Sequence, residues 1–308
     1  MNPDVERAEA SARGLRVAFR PADVVLVFAG TLGTAILALG RPEGWHASAL
    51  AFLCVAAAPF FLEWLRERWP NAVTGAAADF FPGVAFVLMY THLGPLVTLL
   101  HPGLADARLQ EIDRMLFGVQ PAVWLAPYMS PWLNDFLMAC YSSYYVWATL
   151  VGAVFLLRGE RTAFDRWALA VTIYAVLNFT LYAMVPAEGP RFMLAGAFPG
   201  PIRGKLWAGA LADAFGHSPY LRDCFPSGHT ALTVMVLAES WRRIRRLFWA
   251  ALPICTGLIV ATVACRFHYG IDLVAAVPFA FLNLWLADRA MRHGAMKLVL
   301  DRLAGAAG

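Results

Sequence analysis

The strongest constraint on this chain is a series of apolar runs, each close to the roughly 20 residues that an α-helix needs to cross about 30 Å of hydrocarbon. Eight such spans are predicted, at 22–40, 45–65, 76–100, 131–157, 166–186, 226–241, 246–265 and 270–288. Inside a bilayer the backbone N–H and C=O groups must be satisfied within the segment itself, so runs of this length are helices. Composition agrees, since 60% of the 308 residues are hydrophobic and only 15% are charged, against roughly 45–50% and about 25% in a soluble domain. A soluble fold of this size would lack the residues for its polar shell. The expected fold class is all-α, a polytopic membrane helix bundle of about eight transmembrane helices.

The basic residues then predict an orientation. With the N-terminus inside, 17 of the 25 Lys and Arg fall in inner segments and 8 in outer ones, the asymmetry that keeps loops cytoplasmic. The expectation is an integral membrane protein of the cell inner membrane, with both termini cytoplasmic and the outer loops periplasmic. The first 20 residues mix Asp4, Glu6 and Glu9 with four arginines, so the apolar stretch that follows reads as a retained span and not a cleaved signal. No basic run alternates with aromatics as a nucleic-acid surface would, which excludes nucleic acid as a partner. The five cysteines show neither zinc-type pairing nor a C-x-x-C motif. Cys54, Cys140 and Cys255 lie in apolar runs, whereas Cys224 and Cys265 approach the outer surface, where a disulfide or two inert thiols are both open readings.

Three polar segments fall on the outer face under this topology: Pro186-Ala187-Glu188-Gly189-Pro190-Arg191, Cys224-Phe225-Pro226-Ser227-Gly228-His229-Thr230, and Arg266-Phe267-His268-Tyr269-Gly270-Ile271-Asp272. Helix direction alone brings them to one membrane depth. Ser227 and Gly228 at a helix start imply free backbone N–H groups with the positive dipole end behind them, a ready anion site. Ser227 can cap that helix, donate to a phosphate oxygen, or do both. Arg191 and Arg266 supply forked donors suited to phosphate. His268 and Asp272 are spaced i, i+4, so a carboxylate can hold one ring nitrogen and leave the other to attack phosphorus. His229 is placed to protonate the departing oxygen.

These segments resemble the type-2 phosphatidate phosphatase superfamily, which also includes vanadium-dependent haloperoxidases. That family carries a Pro-Ser-Gly-His segment and a downstream segment ending His-x-x-x-Asp, both present here. The resemblance implies that His268 is the nucleophile forming a phosphohistidine, Asp272 its orienting partner and His229 the general acid, with phosphate bound by Arg191, Ser227, Gly228 and Arg266. The first segment departs from the family pattern: Met184 stands where a Lys is usual, seven before Arg191, and Phe192 where a Pro follows the arginine. Arg266 lies two residues before His268 instead of six. The compressed His-Tyr-x-x-Asp segment, the stretch Ile112–Pro121 and the Tyr-rich Tyr141–Tyr145 are similar to the branch containing inositol phosphorylceramide synthases. The resemblance covers about 110–290 with the third span, implying a six-helix catalytic core at 75–290, an N-terminal tail with two additional helices at 1–74, and a cytoplasmic tail at 291–308. The implied substrate is a lipid or isoprenoid phosphoester, the acceptor water or a headgroup hydroxyl. No cofactor and no metal are expected.

Two other functions compete. His229, His268 and Asp272 are also a plausible metal-ligand set for a membrane hydrolase, although the neighbouring anion site and arginines favour phosphate. A transporter or lipid-binding protein could retain the motifs as scaffold, but transporters place polar groups at mid-membrane. Elsewhere, Glu63 and Asp79 are expected to pair near the inner interface, and Asn178 is an intramembrane polar candidate. Asp113 either caps an interfacial helix or contacts a headgroup. The Tyr141–Tyr145 cluster reads as interhelical packing before substrate contact, and Arg242–Arg246 as a topology determinant. His46, His92, His101, His217 and His293 read as ordinary interfacial histidines.

Overall fold

The computed structural model describes residues 19–216 and 222–292. His217, His293 and most of both tails lie outside the described residues. The described chain is an all-α polytopic membrane bundle without a strand. Its helices are α1 (Pro21–Gly40), α2 (Trp45–Arg68), α3 (Ala72–Thr91), α4 (Gly94–Leu100), α5 (Asp106–Phe117), α6 (Pro121–Leu125) and α7 (Pro131–Ser142). They continue as α8 (Tyr144–Leu157), α9 (Arg161–Met184), α10 (Pro190–Met193), α11 (Ala208–Gly216), α12 (Gly228–Arg243), α13 (Arg245–Ala264) and α14 (Gly270–Arg292).

Six of the described helices are long and apolar enough to cross a membrane, or seven spans if α7 and α8 count as one bent span. Two expected spans differ in shape. The third stops at Thr91, because Pro95 at the start of α4 removes a backbone donor and disfavours helix in the residue before it. The fourth bends by 42° between α7 and α8. There Ser143 donates its hydroxyl to the Cys140 carbonyl at 2.6 Å and accepts from the Trp147 indole at 2.9 Å, engaging a carbonyl at the last turn of α7. The sixth, α12, keeps the 16 residues of the expected 226–241, displaced by two positions.

The centre of the bundle is α9, which packs on α14, on α1 and on α8, while α12 packs on α13 and α14. Tyr174, Leu169 and Phe179 of α9 are buried in the main apolar core. At one end of the bundle the buried charges pair with each other. Arg166 meets Glu239 at 2.9 Å and also Asp288, and Arg243 reaches Glu239 at 3.1 Å. Asp79 is held by Arg20 at 2.9 Å and by Arg161 at 2.8 Å, and Glu63 pairs with Arg66 at 3.1 Å. Asp79 and Glu63 therefore pair as their sequence positions suggest. The opposite end carries the long connections and the three motif segments.

Candidate active site

The end of α9, the start of α12 and the α13–α14 turn meet at a cavity of about 400 Å³ whose lining includes Arg191, Gly228, His229 and His268. His268 sits in the turn before α14, so its i, i+4 pairing with Asp272 joins a turn to a helix. Asp272 lies in the first turn of α14, where its Oδ2 accepts from the Tyr269 N–H at 2.8 Å and lies 3.2 Å from His268 Nδ1. A nearer acceptor for Nδ1–H is the Cys224 carbonyl at 2.8 Å. Two acceptors on the same nitrogen hold the proton at Nδ1 and leave Nε2 as the lone-pair nitrogen.

The Cys224 thiol donates to Asp272 Oδ2 at 3.0 Å. Burial, reinforced by the Asp272, Asp106 and Asp223 carboxylates, pushes that thiol well above its usual range. Cys224 and Cys265 are both free and buried, so thiols and not a disulfide occupy these positions. Cys224, His268 and Asp272 offer ligand atoms within 4.8 Å of one another. A metal there would displace the proton that the Cys224 thiol donates to Asp272. His229 is not in that group; its ring centroid lies 6.3 Å from that of His268.

The start of α12 is built around small residues. Ser227 is fully buried and its Oγ accepts from Thr230 N–H at 3.2 Å, the capping role, while its own N–H donates to the Asp272 carbonyl at 3.2 Å. Its hydroxyl is not part of the cavity lining. At Gly228 a Cβ would come within 2.7 Å of the Tyr182 hydroxyl and 2.8 Å of the Tyr174 hydroxyl. Only glycine lets those phenols approach, and Tyr174 donates to the Gly228 carbonyl at 2.9 Å.

His229 packs against two tyrosines. The Tyr141 ring stacks on it at 4.2 Å and 18°, and the Tyr144 ring lies 4.2 Å away on a 36° tilt. Tyr141 stacks in turn on Phe267 at 4.4 Å, and the Arg191 guanidinium lies 5.1 Å from the Phe267 centroid. The bend between α7 and α8 brings both Tyr141 and Tyr144 against the His229 ring. Together with Tyr145 they line the cavity, so the cluster contributes to the site and is not interhelical packing alone.

The two arginines separate. Arg191 lines the cavity with the histidines, and its backbone N–H donates to the Arg266 carbonyl at 3.0 Å. Arg266 does not join it. Its backbone is left-handed (φ 66°), its Nη1 donates to the Gly200 carbonyl at 2.7 Å, and its guanidinium lies 4.1 Å from the Phe198 ring centroid. This side chain lines a separate cavity of about 230 Å³ with Pro199, Pro201 and Asn134. Desolvation there lowers its pKa. Its part in the histidine site is the backbone carbonyl that holds Arg191.

Two buried carboxylates of α5 complete the frame. Asp106 accepts from the backbone N–H groups of Glu188 at 3.0 Å and Gly189 at 2.9 Å, and from the Tyr269 hydroxyl at 2.8 Å. Asp113 accepts from Gly270 N–H at 2.8 Å and Ile271 N–H at 2.7 Å. It thus caps α14, neither its own helix nor a headgroup, and burial raises its pKa. Tyr269 is held protonated by burial beside Asp106. One helix therefore ties the Arg191 loop to the His268 turn. The signal in the sequence is the seven-residue spacing of Asp106 and Asp113, two turns apart on one helix face.

A family profile described as the PAP2 superfamily matches residues 107–286, more than half of the chain. No curated protein and no solved structure matches the chain significantly.

Proposed function

The chain belongs to the PAP2 superfamily, and from that premise we propose that it transfers a phosphoryl group from an amphiphilic phosphoester through a phosphohistidine on His268. The observation that carries this reading is the orientation of His268, with Nδ1 committed to the Cys224 carbonyl and Asp272, so that Nε2 carries the nucleophilic lone pair. Nε2 attacks phosphorus, the P–O bond to the lipid breaks, and His229 donates its proton to the departing alkoxide. His229 then takes a proton from the acceptor as the acceptor oxygen attacks phosphorus, the P–N bond breaks and His268 is freed. Arg191 and the N–H groups opening α12 stabilise the charge on the equatorial oxygens. Asp272 is a positioning residue, and Ser227 acts through the helix start that it caps.

The acceptor is water or the hydroxyl of a polar headgroup. A headgroup phosphotransferase of the inositol phosphorylceramide synthase type is the finer form of the proposal, supported by the phenols of Tyr90, Tyr141, Tyr144, Tyr145, Tyr174 and Tyr182 around the cavity. We place the site on the periplasmic side of the inner membrane, on the charge asymmetry of the loops, within a catalytic core at 75–290.

The test offers purified protein a panel of lipid and isoprenoid phosphates and phosphodiesters, with and without alcohol acceptors, scoring free phosphate against new lipid products by mass. Vanadate, a mimic of the trigonal-bipyramidal phosphoryl group, should inhibit competitively, and activity should survive a strong chelator. No inhibition up to millimolar vanadate, on the order of an upper-end KM, overturns the phosphohistidine.

A further inference from the structure

The catalytic cavity does not end at the tyrosines. Phe86 and Val87 of α3 and Tyr145 of α8 line it, and the same three residues line an apolar groove of about 540 Å³ running on between these helices. Trp167, Ala168 and Val171 of α9 also line this groove. Val84 and Val87 on its rim are 53% and 42% exposed, so the groove opens sideways to lipid. At its far end stands Asp79, already held by Arg20 and Arg161. From Val87 to Asp79 the helix rises about 12 Å.

We propose that this groove seats the hydrocarbon chain of the phosphoester, an inference that rests on the phosphoryl-transfer reading of the cavity. The phosphate of a bound substrate lies at His268, so its tail must leave through the cavity wall. A second apolar groove, beside α1, shares only Phe179 with the cavity. The groove between α3 and α8 shares three residues and leads away from the site to Asp79 along an apolar lining, broken by the Thr149 hydroxyl, which donates to the Tyr145 carbonyl. A tail gains little free energy by moving there, because the surrounding lipid is equally apolar. The groove works by register: with the chain seated, phosphorus is held in line with His268, and a misplacement of about 1 Å can cost ~10²-fold in rate.

Gly83 lines the groove, and a Cβ added there meets nothing within 4 Å. Gly83→Phe therefore fills the groove without a clash at its own backbone. Gly75, equally open but outside the groove, supplies the control Gly75→Phe. In detergent-purified full-length protein, Gly83→Phe should lower kcat/KM for a long-chain alkyl phosphate about 10²-fold and leave p-nitrophenyl phosphate within about twofold. Gly75→Phe should change neither. Equal rates of Gly83→Phe and wild type on the long-chain substrate overturn the proposal, as does equal loss on both substrates. It is also overturned if Ile36→Trp, which fills the groove beside α1, produces the chain-dependent loss instead. His268→Asn assayed in parallel tests the reading of the site separately: if that variant retains activity, the catalytic assignment fails whatever Gly83→Phe does.

Discussion

The two ends of the bundle bury carboxylates in opposite ways. Away from the motifs, Glu239, Asp288 and Asp79 are met by arginine forks, Arg166, Arg243, Arg20 and Arg161. At the site end, Asp106, Asp113 and Asp272 are met by backbone N–H groups, a phenol, a thiol and an imidazole. No arginine among the described residues takes part in those bonds. Ion pairs between helices hold the bundle together. Carboxylates satisfied by backbone donors instead fix loops in place. Similar burial thus serves cohesion at one end and alignment at the other.

If that contrast is right, variants at the two ends should fail differently. The largest effect is expected at the proposed nucleophile. His268→Asn should lose at least about 10⁴-fold in phosphate release on lipid and nitrophenyl substrates alike, with the thermal melting of the purified protein unchanged. Residual activity above that level would remove His268 from the chemistry.

His229→Asn should lose about 10²–10⁴-fold on a lipid phosphate, the worth of a general acid. It should recover substantially on a nitrophenyl phosphoester, whose leaving group needs no proton. Rescue of His268→Asn instead would reverse the two roles. Because Tyr141 and Tyr144 pack against the His229 ring, Tyr141→Leu should show the same leaving-group dependence in weaker form.

At the other end, Glu239→Gln breaks a buried pair with Arg166 and a second contact with Arg243. Truncating one partner of a buried ion pair costs about 3–5 kcal/mol. The midpoint of thermal unfolding should therefore fall markedly while kcat per folded molecule stays near wild type. A loss of kcat without a shift in melting would erase the distinction between the ends.

The smallest effect is expected at the frame. Asp113→Asn keeps one acceptor but turns an amide N–H toward a second backbone donor, a loss of about 1–3 kcal/mol. As a positioning residue it should lower kcat about tenfold and weaken vanadate inhibition in parallel, with KM nearly unchanged. An unchanged kcat together with lowered melting would make Asp113 a purely structural cap.

Much of this was legible in the chain because it depends on local composition. Apolar runs near 20 residues make helices in lipid whatever surrounds them, and Pro-Ser-Gly-His with His-x-x-x-Asp carries its chemistry in the residue types themselves. The breaks at Ser143 and Gly94-Pro95 were harder to read, since they interrupt apolar runs that hydropathy alone treats as continuous. Arg191 and Arg266 looked equivalent in sequence, both cationic and both beside a motif. Backbone direction separated them, sending one to the histidines and the other to Gly200.

The sequence by itself determined the membrane, the helical class and the pair of histidines, because burial in hydrocarbon and side-chain chemistry act on short stretches. Only the tertiary structure decided that Asp113 caps α14, that Tyr141 and Tyr144 pack against His229, that the Cys224 carbonyl shares Nδ1 of His268 with Asp272, and that Arg266 turns away. Each of those is a contact between segments distant in the chain, set by distances of about 3 to 4 Å that depend on how helices pack, and packing geometry is a property of the assembled bundle that no single stretch of sequence contains.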